Sequence, residues 1–135
     1  KAPSNLRILL VEDNKLNVLV AKAELKHAAP GAAVTVADNG QVALDLLEAN
    51  DFDLVLMDIQ MPVLDGIGAT RAIRALTGPV AAIPIVAITA NALRGDMETY
   101  LSAGMTAYVS KPLRIDAMRE AMESAVPRVE ERLAG

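Results

Sequence analysis

The stretch Val55-Leu56-Met57-Asp58-Ile59-Gln60-Met61-Pro62-Val63-Leu64-Asp65-Gly66 decides how this chain folds. An apolar run ends on a carboxylate, and a turn rich in Pro and Gly follows. The run is continuous in apolar residues, as in a strand covered on both faces. Two other runs end in charge: Ile8-Leu9-Leu10-Val11 stops at Glu12-Asp13, and Tyr108-Val109-Ser110 stops at Lys111-Pro112. If these strands lie parallel in one sheet, three carboxylates and an ammonium converge on its C-terminal edge. Open α/β sheets bind ligands along that edge. Such a cluster suits a Mg²⁺ ion and a phosphoryl group.

The rest of the chain keeps the same rhythm. Strands are expected over Arg7–Val11, Val34–Ala37, Leu54–Met57, Ile83–Ile88 and Ala107–Val109, with Ala- and Leu-rich helical stretches between them. Strand and helix in alternation imply βαβ crossovers and a parallel sheet. Asn14 is placed to cap the first helix, Asn39-Gly40 to start the second and Gly66 to open the third. Core-facing stripes are expected at Val42, Leu46 and Leu47 in the second helix, with Ala43 beside them. In the third they fall at Ile67, Thr70, Ile73 and Leu76. The fourth carries Leu93, Met97 and Leu101 and stops at Gly104. The fifth carries Met118, Ala121, Met122 and Ala125 and stops at Pro127. Residues 1–126 read as one domain and residues 127–135 as a short tail.

Composition closes off several functions. The 135 residues carry a net charge of −4, which argues against a nucleic-acid surface on this domain. Cysteine is absent, so disulfides, thiolate metal sites and thiol catalysis are excluded. No apolar run reaches the ~18 residues of a membrane helix, and no signal peptide is visible, so no membrane contact is expected of this domain. With Phe52, Tyr100 and Tyr108 as the aromatics, sites built on ring stacking are disfavoured.

Taken in order, Val11-Glu12-Asp13-Asn14, Asp38-Asn39-Gly40, Met57-Asp58-Ile59-Gln60-Met61-Pro62, Asp65-Gly66, Ile85-Val86-Ala87-Ile88-Thr89-Ala90-Asn91, Gly104-Met105 and Lys111-Pro112 form a specific signal. Together they resemble the receiver domain of two-component response regulators, from Arg7 to about Ser124. The Gln60-Met61-Pro62 turn and Thr89-Ala90-Asn91-Ala92 look most like receivers attached to hybrid histidine kinases. The resemblance implies a doubly wound, flavodoxin-like α/β fold: a five-stranded parallel sheet in the order 2-1-3-4-5 with five helices.

It also implies roles for named residues. Asp58 would be the phosphoacceptor, a carboxylate that attacks phosphorus to form an aspartyl phosphate. Asp13 and Asp58 would ligate Mg²⁺ directly, the Gln60 backbone carbonyl would contribute, and Glu12 would act through water. Lys111 would pair with Asp58 at rest and with a phosphoryl oxygen afterwards, its bond to Pro112 being cis. Thr89 and Tyr108 would form the switch, the hydroxyl moving toward the phosphate and the ring turning inward behind it. Gln60 and Asn91 would tune the phosphoryl lifetime. The donor would be a phosphohistidine on a histidine kinase or a histidine phosphotransfer protein, in the cytoplasm.

Plainer readings stand beside these. Asp58 could be a turn or capping aspartate, Glu12-Asp13 a solvated helix start, and Tyr108 an ordinary half-buried ring. His27 is read as suiting the end of the first helix, since no four-helix bundle is present to carry a phosphotransfer histidine. The first helix has two apolar sectors, Leu16, Leu19, Val20 and Ala23 against Val18, Ala21 and Leu25, where a sheet needs one. The surplus sector, with Val18 and Leu19 as its test positions, is the expected docking face for the phosphodonor. A dehalogenase-type phosphohydrolase would need Asp-x-Asp after the first strand, and a P-loop enzyme Gly-x-x-x-x-Gly-Lys; neither is present. The expectation is a phosphorylatable signalling switch with self-phosphorylating and self-dephosphorylating chemistry, either stand-alone or part of a hybrid histidine kinase. A degenerate receiver that binds partners without phosphorylation is the alternative.

Overall fold

The computed structural model describes residues 6–59, 65–89, 94–111, 114 and 116–122. Strands β1 (Arg7–Val11), β2 (Ala33–Ala37), β3 (Leu54–Asp58), β4 (Ile85–Thr89) and β5 (Ala107–Ser110) form one sheet in the order β2-β1-β3-β4-β5. Every neighbouring pair is parallel. Helices α1 (Lys15–Ala28), α2 (Gly40–Ala49), α3 (Gly66–Arg74) and α4 (Arg94–Ala103) connect them, and residues 116–122 form α5. The doubly wound α/β fold, with its strand order and five helices, is therefore as expected. The boundary at residue 126 and the tail 127–135 lie outside the described residues.

Alternate residues of each strand feed opposite faces of the sheet. Ile8, Leu10, Leu54, Leu56, Val86 and Ile88 pack with Ala21 and Leu25 of α1 and with Met118, Ala121 and Met122 of α5. Leu9, Val11, Val55, Met57, Ile85 and Ala87 pack with Ala43 and Leu47 of α2, Ala69 and Ile73 of α3, and Tyr100 of α4. Two helices thus cover one face and three the other. That double cover is why β1, β3 and β4 read as unbroken apolar runs.

Side chains fix where the first three helices begin. Asn14 Oδ1 accepts from the backbone N–H groups of Leu16 (2.9 Å) and Asn17 (3.1 Å). Asn39 Oδ1 accepts from Val42 N at 2.9 Å, and Asp65 Oδ1 accepts from Gly68 N at 2.7 Å. Each satisfies donors that the first helical turn leaves unpaired. At the other end of α4, Gly104 takes φ +110°, a conformation that terminates the helix without a Cβ penalty.

Several expectations need correction. β4 starts at Ile85 rather than Ile83, because Pro79–Ala82 form a 3-10 turn whose last hydrogen bond is donated by Ile83 N. As its outermost place in the expected order implies, β2 leaves Ala33 and Thr35 exposed. In α2 the buried face is Gly40, Ala43 and Leu47, while Val42 is exposed and Leu46 half-buried. The expected α4 stripe fails at Leu101, which is 53% exposed; Tyr100 and Ala103 are buried instead. Leu93 and Ala125 lie outside the described residues.

Candidate functional site

Parallel strands deliver their C-terminal ends to one edge, and the hydrogen-bond ladder continues past those ends. Glu12 N donates to Ala37 O (3.0 Å), Ile59 N to Ile88 O (3.0 Å) and Lys111 N to Thr89 O (2.8 Å). The backbone under Glu12, Asp58 and Lys111 is therefore held by neighbouring strands. Gly66 N donates to Ile59 O at 3.1 Å, closing the turn that follows Asp58.

The side chains converge. Glu12, Asp13 and Asp58 each offer a carboxylate oxygen, and those oxygens lie within 4.8 Å of one another. Glu12 is 3% exposed and Asp58 2%, whereas Asp13 faces solvent. Lys111 Nζ donates to Asp58 Oδ1 at 3.2 Å and stands 4.0 Å from Glu12 Oε1. Glu12 Oε2 accepts from Asn14 N at 3.2 Å.

Two buried carboxylates with one ammonium between them cannot both be comfortable as anions. Burial first, and then hydrogen bonding to Asp58, push the Glu12 carboxyl up to about 7. The charge of Asp58 adds to this, while the Asn14 N–H and Lys111 ammonium oppose it. A divalent cation seated among the three acids would relieve the same repulsion. The donors are all carboxylate oxygens, with an exposed member giving access, so the residues fit a hard cation such as Mg²⁺.

Thr89, the last residue of β4, is buried, and its hydroxyl lies 3.0 Å from the Tyr100 hydroxyl. The aromatic expected beside it was Tyr108, which is half-buried and packs on the same apolar layer. Tyr100 was missed because Leu93, Met97 and Leu101 gave the more regular stripe; Tyr100 and Ala103, three apart, were the available signal. Gln60, Ala90, Asn91 and Pro112 lie outside the described residues.

In α1 the two apolar sectors separate. Ala21 and Leu25 are buried and Val18 packs partly buried against the same core. Val18 thus sits with the core-facing sector, half-buried. Leu16 is 68% exposed and Leu19 65%, with Val20 beside them, so the outward sector is theirs. His27 is exposed in the last turn of α1.

Known proteins resemble this chain in sequence and fold. The response regulator receiver domain family model matches residues 8–123. Two-component response regulator ORR41 of Oryza sativa subsp. japonica is 46% identical over 110 residues, 80% of this chain and 84% of that protein. Aerobic respiration control sensor protein ArcB of Escherichia coli (strain K12) is 42% identical over 113 residues, covering 84% of this chain and 14% of that protein. Histidine kinase 5 of Arabidopsis thaliana is 37% identical over 148 residues, and the chain spans 16% of its length. Among solved structures, the receiver domain of sensor histidine kinase PA1611 from Pseudomonas aeruginosa PAO1 superposes with a TM-score of 0.80 at 41% identity. The match covers 91% of this chain and 98% of that one, which carries a magnesium ion in its active site cleft.

Proposed function

The chain belongs to the response regulator receiver domain family of two-component signalling, and we propose that it accepts a phosphoryl group onto Asp58 from a phosphohistidine. The observation that carries this reading is the meeting of Glu12, Asp13 and Asp58 at one sheet edge, with Lys111 Nζ 3.2 Å from Asp58.

In this reading an Asp58 oxygen attacks phosphorus in line, the phosphorus–nitrogen bond to the donor imidazole breaks, and that imidazole takes a proton from water. Lys111, released from its ion pair with the Asp58 carboxylate, pairs with an equatorial phosphoryl oxygen. Asp13, Asp58 and the Gln60 carbonyl would hold Mg²⁺, with Glu12 acting through water. When bound, the ion neutralises developing charge on the phosphoryl oxygens. Thr89 supplies a hydroxyl to the same group, with Tyr108 as the expected partner ring. Later attack by water on the phosphorus releases inorganic phosphate and restores the Asp58 carboxylate.

The donor would be a histidine kinase or histidine phosphotransfer protein, met in the cytoplasm. The exposed Leu16 and Leu19, on the helix that follows Asp13, are where its histidine-bearing helix would dock. Because the chain spans 14% of ArcB and 84% of the rice regulator, a place within a hybrid histidine kinase and a stand-alone role both fit.

Intact mass after incubation with acetyl phosphate and Mg²⁺ tests the reading. A gain of about one phosphoryl group is expected, absent in Asp58→Asn and in EDTA. No gain at any Mg²⁺ concentration would favour a phosphorylation-independent binding module.

A further inference from the structure

We propose that Tyr100 is a positioning residue that holds the Thr89 hydroxyl toward α4 and thereby sets how readily a phosphoryl group on Asp58 recruits it. This inference rests on the phosphoacceptor reading of Asp58.

The backbone of Thr89 is tied to both sides of the site. Its preceding residue, Ile88, pairs with Asp58 across β3 and β4, and Thr89 O accepts from Lys111 N. The peptide groups are thus fixed, and the side chain turns about one bond. In this structure its hydroxyl is engaged with Tyr100 OH at 3.0 Å, both residues being buried. Tyr100 comes from α4 and packs in the apolar layer with Ile85 and Ala87 of β4.

A phosphoryl group on Asp58 would place anionic oxygens beside that hydroxyl. A hydrogen bond to a charged oxygen is about twice as strong as one between neutral hydroxyls. The phosphoryl group and Tyr100 therefore compete for Thr89. When the phosphoryl group wins, the Tyr100 hydroxyl loses this contact, and losing a hydrogen bond inside the protein carries a cost. Competition of this kind links chemistry at Asp58 to the seating of α4. It also makes the Tyr100 hydroxyl an opponent of the phosphorylated state, while its ring supports the core.

Tyr100→Phe removes the hydroxyl and keeps the ring. Beryllofluoride with Mg²⁺, a stand-in for the phosphoryl group, is the probe, and its apparent affinity is measured by calorimetry. Tyr100→Phe should bind about two- to tenfold more tightly than the unmodified chain, the range a single net hydrogen bond spans. The gain should vanish in a Thr89→Ala background, which a purely structural role for Tyr100 would not require. A second measurement needs no Tyr100 variant. On adding beryllofluoride, the Tyr100 ring resonances should shift in the unmodified chain and stay unchanged in Thr89→Ala. Unchanged or weaker binding by Tyr100→Phe, a gain that persists without the Thr89 hydroxyl, or ring resonances that do not respond would each overturn the inference. Failure of the unmodified chain to bind beryllofluoride at all would instead defeat the reading of Asp58, and this inference with it.

Discussion

Glu12 and Asp58 lie side by side at the edge of the sheet, almost wholly out of water, with Lys111 as their shared counter-charge. In the metal-free protein the Glu12 carboxyl is pushed up to about 7 from its ordinary 4.5. Between those values the folded state binds more protons than the unfolded chain, so stability must fall as pH rises through the window. Below it both states are protonated and the contribution is fully present. We expect the melting temperature in EDTA to drop from about pH 5 to about pH 8, and the drop to flatten in Glu12→Gln. Saturating Mg²⁺ should stabilise most at the alkaline end, since binding to the folded state adds stability and the carboxylates are then free of protons. A metal-free melting curve insensitive to pH would contradict this. Lys111→Gln should keep the fold but slow transfer from acetyl phosphate by about a hundredfold, the scale for removing one preorganised charge donor. A rate within a few-fold of the unmodified chain would exclude that role. These residues were legible in the sequence because each follows an apolar run, and the end of a parallel strand is a place that sequence can mark. Tyr100 was not, since Tyr100 and Leu101 are adjacent, and a short apolar pattern does not say which of two neighbours faces the sheet.

Two close approaches hold the elements together, the first at the site and the second at the opposite edge of the sheet. A Cβ on Gly66 would strike Asp58 O and come within 2.8 Å of the Ile59 Cα, both backbone atoms that cannot yield cheaply. Gly66→Ala should therefore push α3 away from the end of β3, costing about 1–3 kcal/mol and lowering phosphorylation together with the melting temperature. Unchanged stability would mean that Gly66 does not press on the backbone of Asp58 and Ile59. The second approach is made by Arg74 at the end of α3. Its guanidinium donates to Gly104 O (2.9 and 2.6 Å), Ala81 O (2.9 Å) and Ile83 O (2.7 Å). One side chain so ties α3 to the 3-10 turn and to the loop entering β5. Arg74→Lys retains the charge without the planar fork, and a loss of about 2 kcal/mol on chemical denaturation is expected. A loss no larger than that of a surface substitution would show that water replaces the clasp. Helix starts at Asn14 and Asn39 were legible from local chemistry. The clasp was not, because Ala81, Ile83 and Gly104 are separated in sequence and only the fold gathers their carbonyls.

At the scale of the whole molecule, one edge of the sheet carries the charges and α1 carries apolar surface beyond what the sheet covers. Period counting found both sectors of α1 but could not assign them, since Val18 and Leu19 are neighbours and each fits an apolar stripe. Packing decided it: Ala21 and Leu25 lie against the sheet, and Leu16 and Leu19 face outward. Changing Leu16 and Leu19 together to Gln should leave stability within about 0.5 kcal/mol, as for ordinary surface positions. It should slow transfer from a histidine-bearing partner and not from acetyl phosphate; equal slowing from both donors would remove α1 from the docking surface. The parallel sheet followed from the regular alternation of elements, and the strand order from the family resemblance that the motifs carry. The edge position of β2 came with that order. The function proposed for this molecule turns on where the phosphoryl group sits. Borohydride reduction after treatment with acetyl phosphate and Mg²⁺, followed by peptide mass mapping, locates it directly, since an aspartyl phosphate is reduced to homoserine. Homoserine at position 58, lost in EDTA, is the predicted result; reduction at another carboxylate, or at none, would contradict the account.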